Sequence, residues 1–242
     1  MMKIVLSVIC LLLLTSCSKE VPSERLVERN GVFYEVNSQI PFTGSYVDHF
    51  KNGQLTSKTF IKDGLKHGAV SSFYENGQLG SESIYKNGEQ EGLYQSWYEN
   101  GQLEAERTYK NGEIEGPFRW WYEDGQLESE GTYKNGEEED LHRSWQENGQ
   151  MQSEGTYKNG EEEGLHRSWH ENGQLESEGA YKNGEEEGLH RSWYENGQLE
   201  FDAPYKNGKF HGLPRRWNEN GQLVSETCYS NGEEVDMSNC RE

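Results

Sequence analysis

Apolar core-formers are scarce in this chain. Leucine, isoleucine, valine and phenylalanine number 43 among 242 residues, and nine of the 43 fall within the first sixteen. The remainder cannot line the large two-layer core of an ordinary α/β enzyme. Positive charge is also short, with 23 Lys and Arg against 43 Asp and Glu and a formal charge of −20. Such a surface repels phosphate and excludes nucleic-acid binding built on phosphate neutralisation. The one long apolar run, Ile4 to Leu14, is too short for the roughly 20 residues of a membrane-spanning helix. So little aliphatic content raises intrinsic disorder as a reading. Against it stand 28 Gly, 14 Tyr and 7 Trp, because disordered chains are poor in aromatics and these recur at a fixed interval.

Residues 1 to 17 read MMKIVLSVICLLLLTSC: a basic Lys3, the apolar run, then small polar residues ending in Cys17. This is the layout of a secretory signal peptide. Leu14-Thr15-Ser16-Cys17 resembles the bacterial lipoprotein processing site, which implies removal of residues 1 to 16 and acylation of Cys17. The competing reading is a plain signal peptide with a chance cysteine. Several acyl chains, at about 0.8 kcal/mol per buried CH₂, exceed the two-signal requirement for stable anchoring, so the chain is expected on a membrane through Cys17. By the same resemblance, Ser18 and Lys19 lack the aspartate that signals inner-membrane retention, which points to the outer membrane of a bacterial envelope. Residues 17 to 30 are polar, carry Pro22 and show no clean period, so they read as a lipidated cysteine and tether. The folded part is expected over 31 to 242.

Within that part a turn of the Asn-Gly-Gln-Leu type begins at Asn52, Asn76, Asn100, Asp124, Asn148, Asn172, Asn196 and Asn220, each 24 residues after the last. A second turn, usually Tyr-Lys-Asn-Gly, recurs at the same interval from Gly64 to Gly232. A third glycine marks each unit, with Asp140 the departure inside the series, and a bulky ring recurs from Phe73 through Trp97 to Trp217. Asn-Gly between short alternating segments signals a hairpin whose two central residues take positive φ. Segments of about nine and eleven residues separate the turns and fit strands. The fold class is therefore all-β, an elongated antiparallel β-meander or solenoid of about eight 24-residue hairpin repeats, at roughly 10 Å per repeat. With two-residue turns throughout, Tyr98 stands opposite Leu103 and Ser96 opposite Ala105. That places Leu103, Ala105, Tyr109, Tyr98, Tyr94 and Gly92 on one face, with Leu93, Trp97, Glu104 and Glu106 on the other.

Units of the type NGQLESEGTYKNGEEEGLHRSWYENG resemble the MORN repeat variant, a β-hairpin repeat found in bacterial proteins named YwqK-family antitoxins. The opening Gly31-Val32-Phe33-Tyr34 and Pro41-Phe42-Thr43-Gly44 resembles the start of such arrays in lipoproteins. The resemblance spans about residues 31 to 235 and implies a scaffold, with protein or membrane-lipid contacts credited to related repeats.

His142, His166 and His190, each two residues before Ser144, Ser168 and Ser192, invite nucleophilic catalysis or zinc binding. Equivalent histidines should lie about 10 Å apart, whereas ligands sharing one zinc sit near 2 Å from it. A histidine and serine two apart on one strand lie roughly 7 Å apart, and no unique acid completes a triad. A surface ladder of His and Ser is expected, with no catalytic residue, metal or cofactor. The runs Glu137 to Glu139, Glu161 to Glu163 and Glu185 to Glu187 read as a solvated acidic ridge that keeps a thin sheet soluble, without the loop pattern of a calcium site. Cys228 and Cys240 are the thiols left once Cys10 departs with the leader and Cys17 is acylated. In an oxidising envelope they can form a disulfide closing the terminal repeat, worth about 3 kcal/mol in the chain-entropy model; the alternative is two free thiols. The expected function is a non-catalytic, membrane-anchored lipoprotein whose array presents a surface to a protein partner. The alternatives are a glycan- or peptidoglycan-binding module using the aromatic rings, and an antitoxin or immunity protein that sequesters a toxin.

Overall fold

The computed structural model describes residues 19–240, and Cys17 lies outside them. Strands fill the array: eighteen of them form a single sheet. From Gly44 to Lys206 each strand pairs with the next in antiparallel fashion, as in Leu79–Lys86 with Glu89–Trp97 and the latter with Leu103–Lys110. The all-β meander of 24-residue hairpin repeats is thus the observed architecture. No helix among the described residues is long and apolar enough to cross a membrane. Among the described residues the buried apolar ones are few, Phe42, Val47, Ile61, Ala105, Ala203 and Cys228, so cohesion comes from neighbour packing along the sheet rather than from a central core.

The two turns of each repeat differ, which corrects the expectation of two-residue turns throughout. At Asn87-Gly88 both residues take positive φ, 53° and 92°, and Lys86 pairs with Glu89 across a two-residue loop. In the Asn-Gly-Gln-Leu turn only the glycine does so (Gly101, 87°). Tyr98 N–H donates to the Gln102 carbonyl at 2.8 Å, and Gly101 N–H to the Tyr98 carbonyl at 2.8 Å. This is the three-residue loop with a glycine bulge. Ser96 does pair with Ala105, and Gly92 with Tyr109. Leu103, however, pairs with Trp97 rather than Tyr98, because the longer loop takes in Glu99 and sets Tyr98 against Gln102; the register steps back between Trp97 and Ser96, where Glu104 is the extra residue. A second irregularity falls at the third glycine: the ladder skips between Tyr85↔Gln90 and Ser83↔Tyr94, and Gly92 there has φ of 106°. Asp140 holds the equivalent left-handed position at 62°, a conformation aspartate tolerates.

The stretch read as a tether is structured from its first described residues. Glu20–Pro22 pairs in parallel with Gly44–His49, and Leu26–Arg29 forms a hairpin with Val32–Glu35. Lys58 binds Glu20 at 2.6 Å, and Lys19 pairs with Glu35. These residues lack a period because they close the first edge of the sheet instead of extending the repeat. At the other end the strand pattern breaks at Pro214 into Lys209–Phe210 and Arg215–Trp217, followed by Leu223–Glu226 and a short hairpin, Tyr229–Ser230 with Glu233–Glu234.

Candidate interaction surface

Pairing places side chains of equivalent repeat positions in continuous rows. One row alternates histidine and tyrosine: His142, Tyr157, His166, Tyr181, His190 and Tyr205 follow one another with ring centroids 4.8 to 5.2 Å apart. Phe118 and Tyr133 extend it toward the N-terminus, Phe210 and Tyr229 toward the C-terminus. The histidines are not a surface ladder. Their side chains are only 12% to 14% exposed, because each lies over a glycine of the preceding strand. At Gly155 a Cβ would stand 2.8 Å from Cγ of His166, and Gly179 relates to His190 in the same way. The Nε2–H of His166 donates to the Thr156 carbonyl at 2.8 Å and that of His190 to the Ala180 carbonyl at 2.8 Å. Nδ1 of each histidine in the row faces a glutamate of its own strand, Glu138, Glu162 or Glu186, at 3.6 to 3.7 Å. Burial, then these glutamates, push the tyrosine hydroxyls of Tyr157 and Tyr181 up, and Tyr205 up to about 12.

Serines form the adjoining row. Ser144 bonds Ser153 and Ser168 bonds Ser177, both at 2.7 Å between hydroxyls. The serines thus bond one another while histidine Nε2 bonds backbone, so the repeated His and Ser make no nucleophile–base pair here. Among the described residues no group of three or more His, Cys, Asp and Glu side chains converges on a metal-sized point. A groove of about 550 Å³ runs along these rows, lined by the histidines, tyrosines and serines together with the arginine and glutamate row beside them.

That charged row is an alternation the sequence reading missed. Arg143 lies 3.7 Å from Glu130 and 3.9 Å from Glu154; Arg167 lies 3.1 Å from Glu154 and 3.7 Å from Glu178; Arg191 lies 3.4 Å from Glu178. Its signal was available in the fixed offset between Glu and Arg once strands were paired. The acidic runs are likewise divided. The first residue of each, Glu137, Glu161 and Glu185, is the most open to solvent. The second faces histidine, and the third accepts the turn N–H of the next hairpin, as Glu139 does from Asn159 at 2.9 Å and Glu163 from Asn183 at 2.9 Å. The ridge is therefore not uniform: the first carboxylate of each run is exposed, the second is about a third exposed beside its histidine, and the third is tied to the next turn.

Along the turn edge the repeats are tied together. The hydroxyls of Tyr74, Tyr98 and Tyr122 each donate at 2.7 Å to the carbonyl of the tryptophan one repeat later. Asn100 Nδ2 donates to the Glu123 carbonyl at 2.9 Å, and Asn172 to Glu195 at 2.7 Å. Asp124 has no amide with which to donate. Cys228, 1% exposed, is joined to Cys240 with Cα atoms 5.9 Å apart.

The chain matches the MORN repeat variant family over residues 66–87, 90–111, 114–135, 141–159, 162–183, 186–207 and 210–231, more than half its length, and it belongs to that family. Each matched unit is one hairpin: a strand such as Leu65–Phe73, the three-residue loop, and the returning strand Leu79–Lys86. The family is one of non-enzymatic repeats, and repeats of this kind are commonly protein- or membrane-interaction modules. Comparison with curated proteins finds no match.

Proposed function

We propose that this chain is a non-catalytic lipoprotein of the bacterial envelope, anchored through acylated Cys17, whose repeat array holds out an interaction surface for a protein partner. The observation that supports the reading is repetition: the same histidine, serine, arginine and leucine positions recur on every second strand, with Leu93, Leu165 and Leu189 exposed. Partner binding uses such repeated contact, whereas catalysis needs convergence on one point. The glycan alternative is weakened because the tyrosine hydroxyls at the turn edge are engaged by the next repeat. The outer membrane is the proposed location, and an antitoxin role is a special case in which the partner is an envelope toxin.

Photo-crosslinking residues placed at Leu165 and Leu189 of the full chain in cells test this. The expected result is one discrete protein adduct from both positions. Adducts to peptidoglycan fragments alone would replace the protein partner with the glycan reading. Labelling with a clickable palmitate should be lost in Cys17→Ala, and label retained there would remove the anchor from the proposal.

A further inference from the structure

Asn-Gly stands in both turns of most repeats, and successive hairpins of a meander turn at opposite strand ends, so the two sets of asparagines lie on opposite long edges of the sheet. They differ in what holds the side-chain amide. In the three-residue loops it is tied at both ends. Oδ1 of Asn76, Asn100, Asn172 and Asn196 accepts the N–H two residues on at 2.8 to 2.9 Å. Nδ2 of each donates to a glutamate carbonyl of the next repeat at 2.7 to 3.1 Å. Asn148 is held in the same way, at 2.8 and 3.3 Å.

In the two-residue turns the restraint falls on the backbone. Asn111, Asn135, Asn159, Asn183 and Asn207 give their main-chain N–H to glutamates twenty residues earlier, Glu91 to Glu187, at 2.7 to 3.0 Å. Their side-chain amides are exposed and meet no hydrogen-bond partner among the described residues. The glycine that follows is engaged in both sets and does not separate them: Gly101 N–H donates to the Tyr98 carbonyl at 2.8 Å and Gly112 N–H to the Gln90 carbonyl at 3.0 Å.

An Asn-Gly pair carries a reaction that needs no enzyme. The glycine main-chain nitrogen, on losing its proton to hydroxide, attacks Cγ of the asparagine. The new N–Cγ bond closes a succinimide ring, and Nδ2 leaves with a proton as ammonia. Water then adds to one of the ring carbonyls, and the ring opens to aspartate or to isoaspartate. Glycine offers no side chain to obstruct the approach, so the requirement left is that Cγ turn onto the glycine nitrogen. An untied amide rotates there unopposed, whereas an amide tied through Oδ1 and Nδ2 must first break those bonds.

We propose that the asparagines of the two-residue turns, Asn111, Asn135, Asn159, Asn183 and Asn207, are sites of spontaneous deamidation, and that Asn76, Asn100, Asn148, Asn172 and Asn196 are guarded by their loops. One long edge of the array then gains a negative charge per repeat with time, in the turns that lead into the exposed Glu113, Glu137, Glu161 and Glu185. Each new carboxylate arises beside the glutamate that its own N–H bonds, and like-charge repulsion loosens that tie between hairpins. The opposite edge keeps its amides and the bonds they make between repeats. Asn220 is an internal control: the Gln222 N–H that would hold it donates to Asn218 Oδ1 at 3.0 Å, so Asn220 is expected to react with the unguarded set. The inference is independent of what the array binds.

The test incubates the full chain in detergent and mildly alkaline buffer, and follows each turn by the mass gain of amide-to-acid conversion. Trypsin separates the sets: residues 111–119 and 135–143 carry two-residue turns, and residues 144–158 and 168–182 carry three-residue loops. In the folded chain the first pair should convert at least about tenfold faster, the effect of breaking one or two hydrogen bonds before attack. In concentrated guanidinium, where local sequence alone acts, the rates should converge. Equal rates in the folded chain would overturn the proposal, and so would a preference that persists in denaturant. Asn218→Tyr, which installs the tyrosine of most other repeats, should return the Gln222 N–H to Asn220 and slow its conversion about tenfold. An unmoved Asn220 rate with an unchanged circular dichroism spectrum would overturn the loop bond as the guard.

Discussion

Replacing Gly155 with alanine should destabilise the array through a single steric conflict. Gly155 does not sit at positive φ, so its backbone accepts alanine, and the lower chain entropy of alanine alone would favour folding by about 0.4–1 kcal/mol. The new methyl group, however, would lie 2.8 Å from Cγ of His166 and closer still to the ring nitrogen. The ring has little room to retreat: Tyr157 and Tyr181 flank it at 5.2 and 5.0 Å, and its Nε2 is bonded to the Thr156 carbonyl at 2.8 Å. Forced displacement costs about 1–3 kcal/mol as overpacking, and the lost hydrogen bond adds about 1 kcal/mol. The net expectation is a loss of about 1–3 kcal/mol, seen as a lower urea midpoint in tryptophan fluorescence. Nature supplies a control at Ala203, where the ring position one strand on is occupied by Pro214. In Gly155→Ala/His166→Ala the conflict disappears, so the double variant should lose at least about 1 kcal/mol less than the two single losses combined. A neutral Gly155→Ala, or strict additivity in the cycle, would refute the placement of histidine over glycine.

Asp124→Asn should raise stability by about 0.5–1 kcal/mol, by restoring the amide donor that its counterparts direct at the next turn; an unchanged urea midpoint would count against that edge contact. Cys228→Ser should cost about 3 kcal/mol through release of the closed loop, with faster hydrogen exchange first in residues 229–234. At alkaline pH the raised hydroxyls of Tyr157, Tyr181 and Tyr205 make the unfolded chain deprotonate first. Stability should therefore be level below about pH 10, fall as pH rises, and level off beyond about 12 for Tyr205; melting temperatures followed with tyrosinate absorbance check this. Deleting residues 148–171, one whole period, should leave a folded array shortened by about 10 Å in solution scattering, whereas a twelve-residue deletion, which abuts unlike strands, should unfold it.

The period, the strand content and the hairpin nature of each repeat were legible because Asn-Gly turns and ring spacing are local features. The division of the turns into two kinds was not, since both read Asn-Gly. Asn100 is held by its own loop, its side chain accepting the Gln102 N–H at 2.8 Å. Asn111 is held from a distance, its N–H reaching the Glu91 carboxylate at 2.8 Å, a contact that exists only after neighbouring strands pair. The same limit hid the burial of His142, His166 and His190. Histidine next to serine and arginine looks like surface until Gly131, Gly155 and Gly179 are brought beneath it. The N-terminal stretch escaped for the opposite reason: residues that close an edge have no repeat to echo.

Uniformity has a consequence for recognition. A partner laid along the histidine, serine or leucine row meets the same contacts every two strands, so sliding by one repeat, about 10 Å, costs it almost nothing. Repeated surfaces therefore supply avidity and leave register unspecified. Register must come from positions where the pattern breaks. Inside the array these are isolated: Arg107 with its guanidinium 4.6 Å from the Tyr94 ring, Asp124 without its amide, and Gln146 and His170 where tyrosine is the rule. At the C-terminal end several coincide within one short segment: Pro214 interrupts the strand, Asn218 replaces the tyrosine that would reach the next repeat, and Val224 stands where Glu176 and Glu200 stand in the preceding repeats. A partner that binds at one defined place along an otherwise interchangeable sheet has the strongest physical reason to bind there.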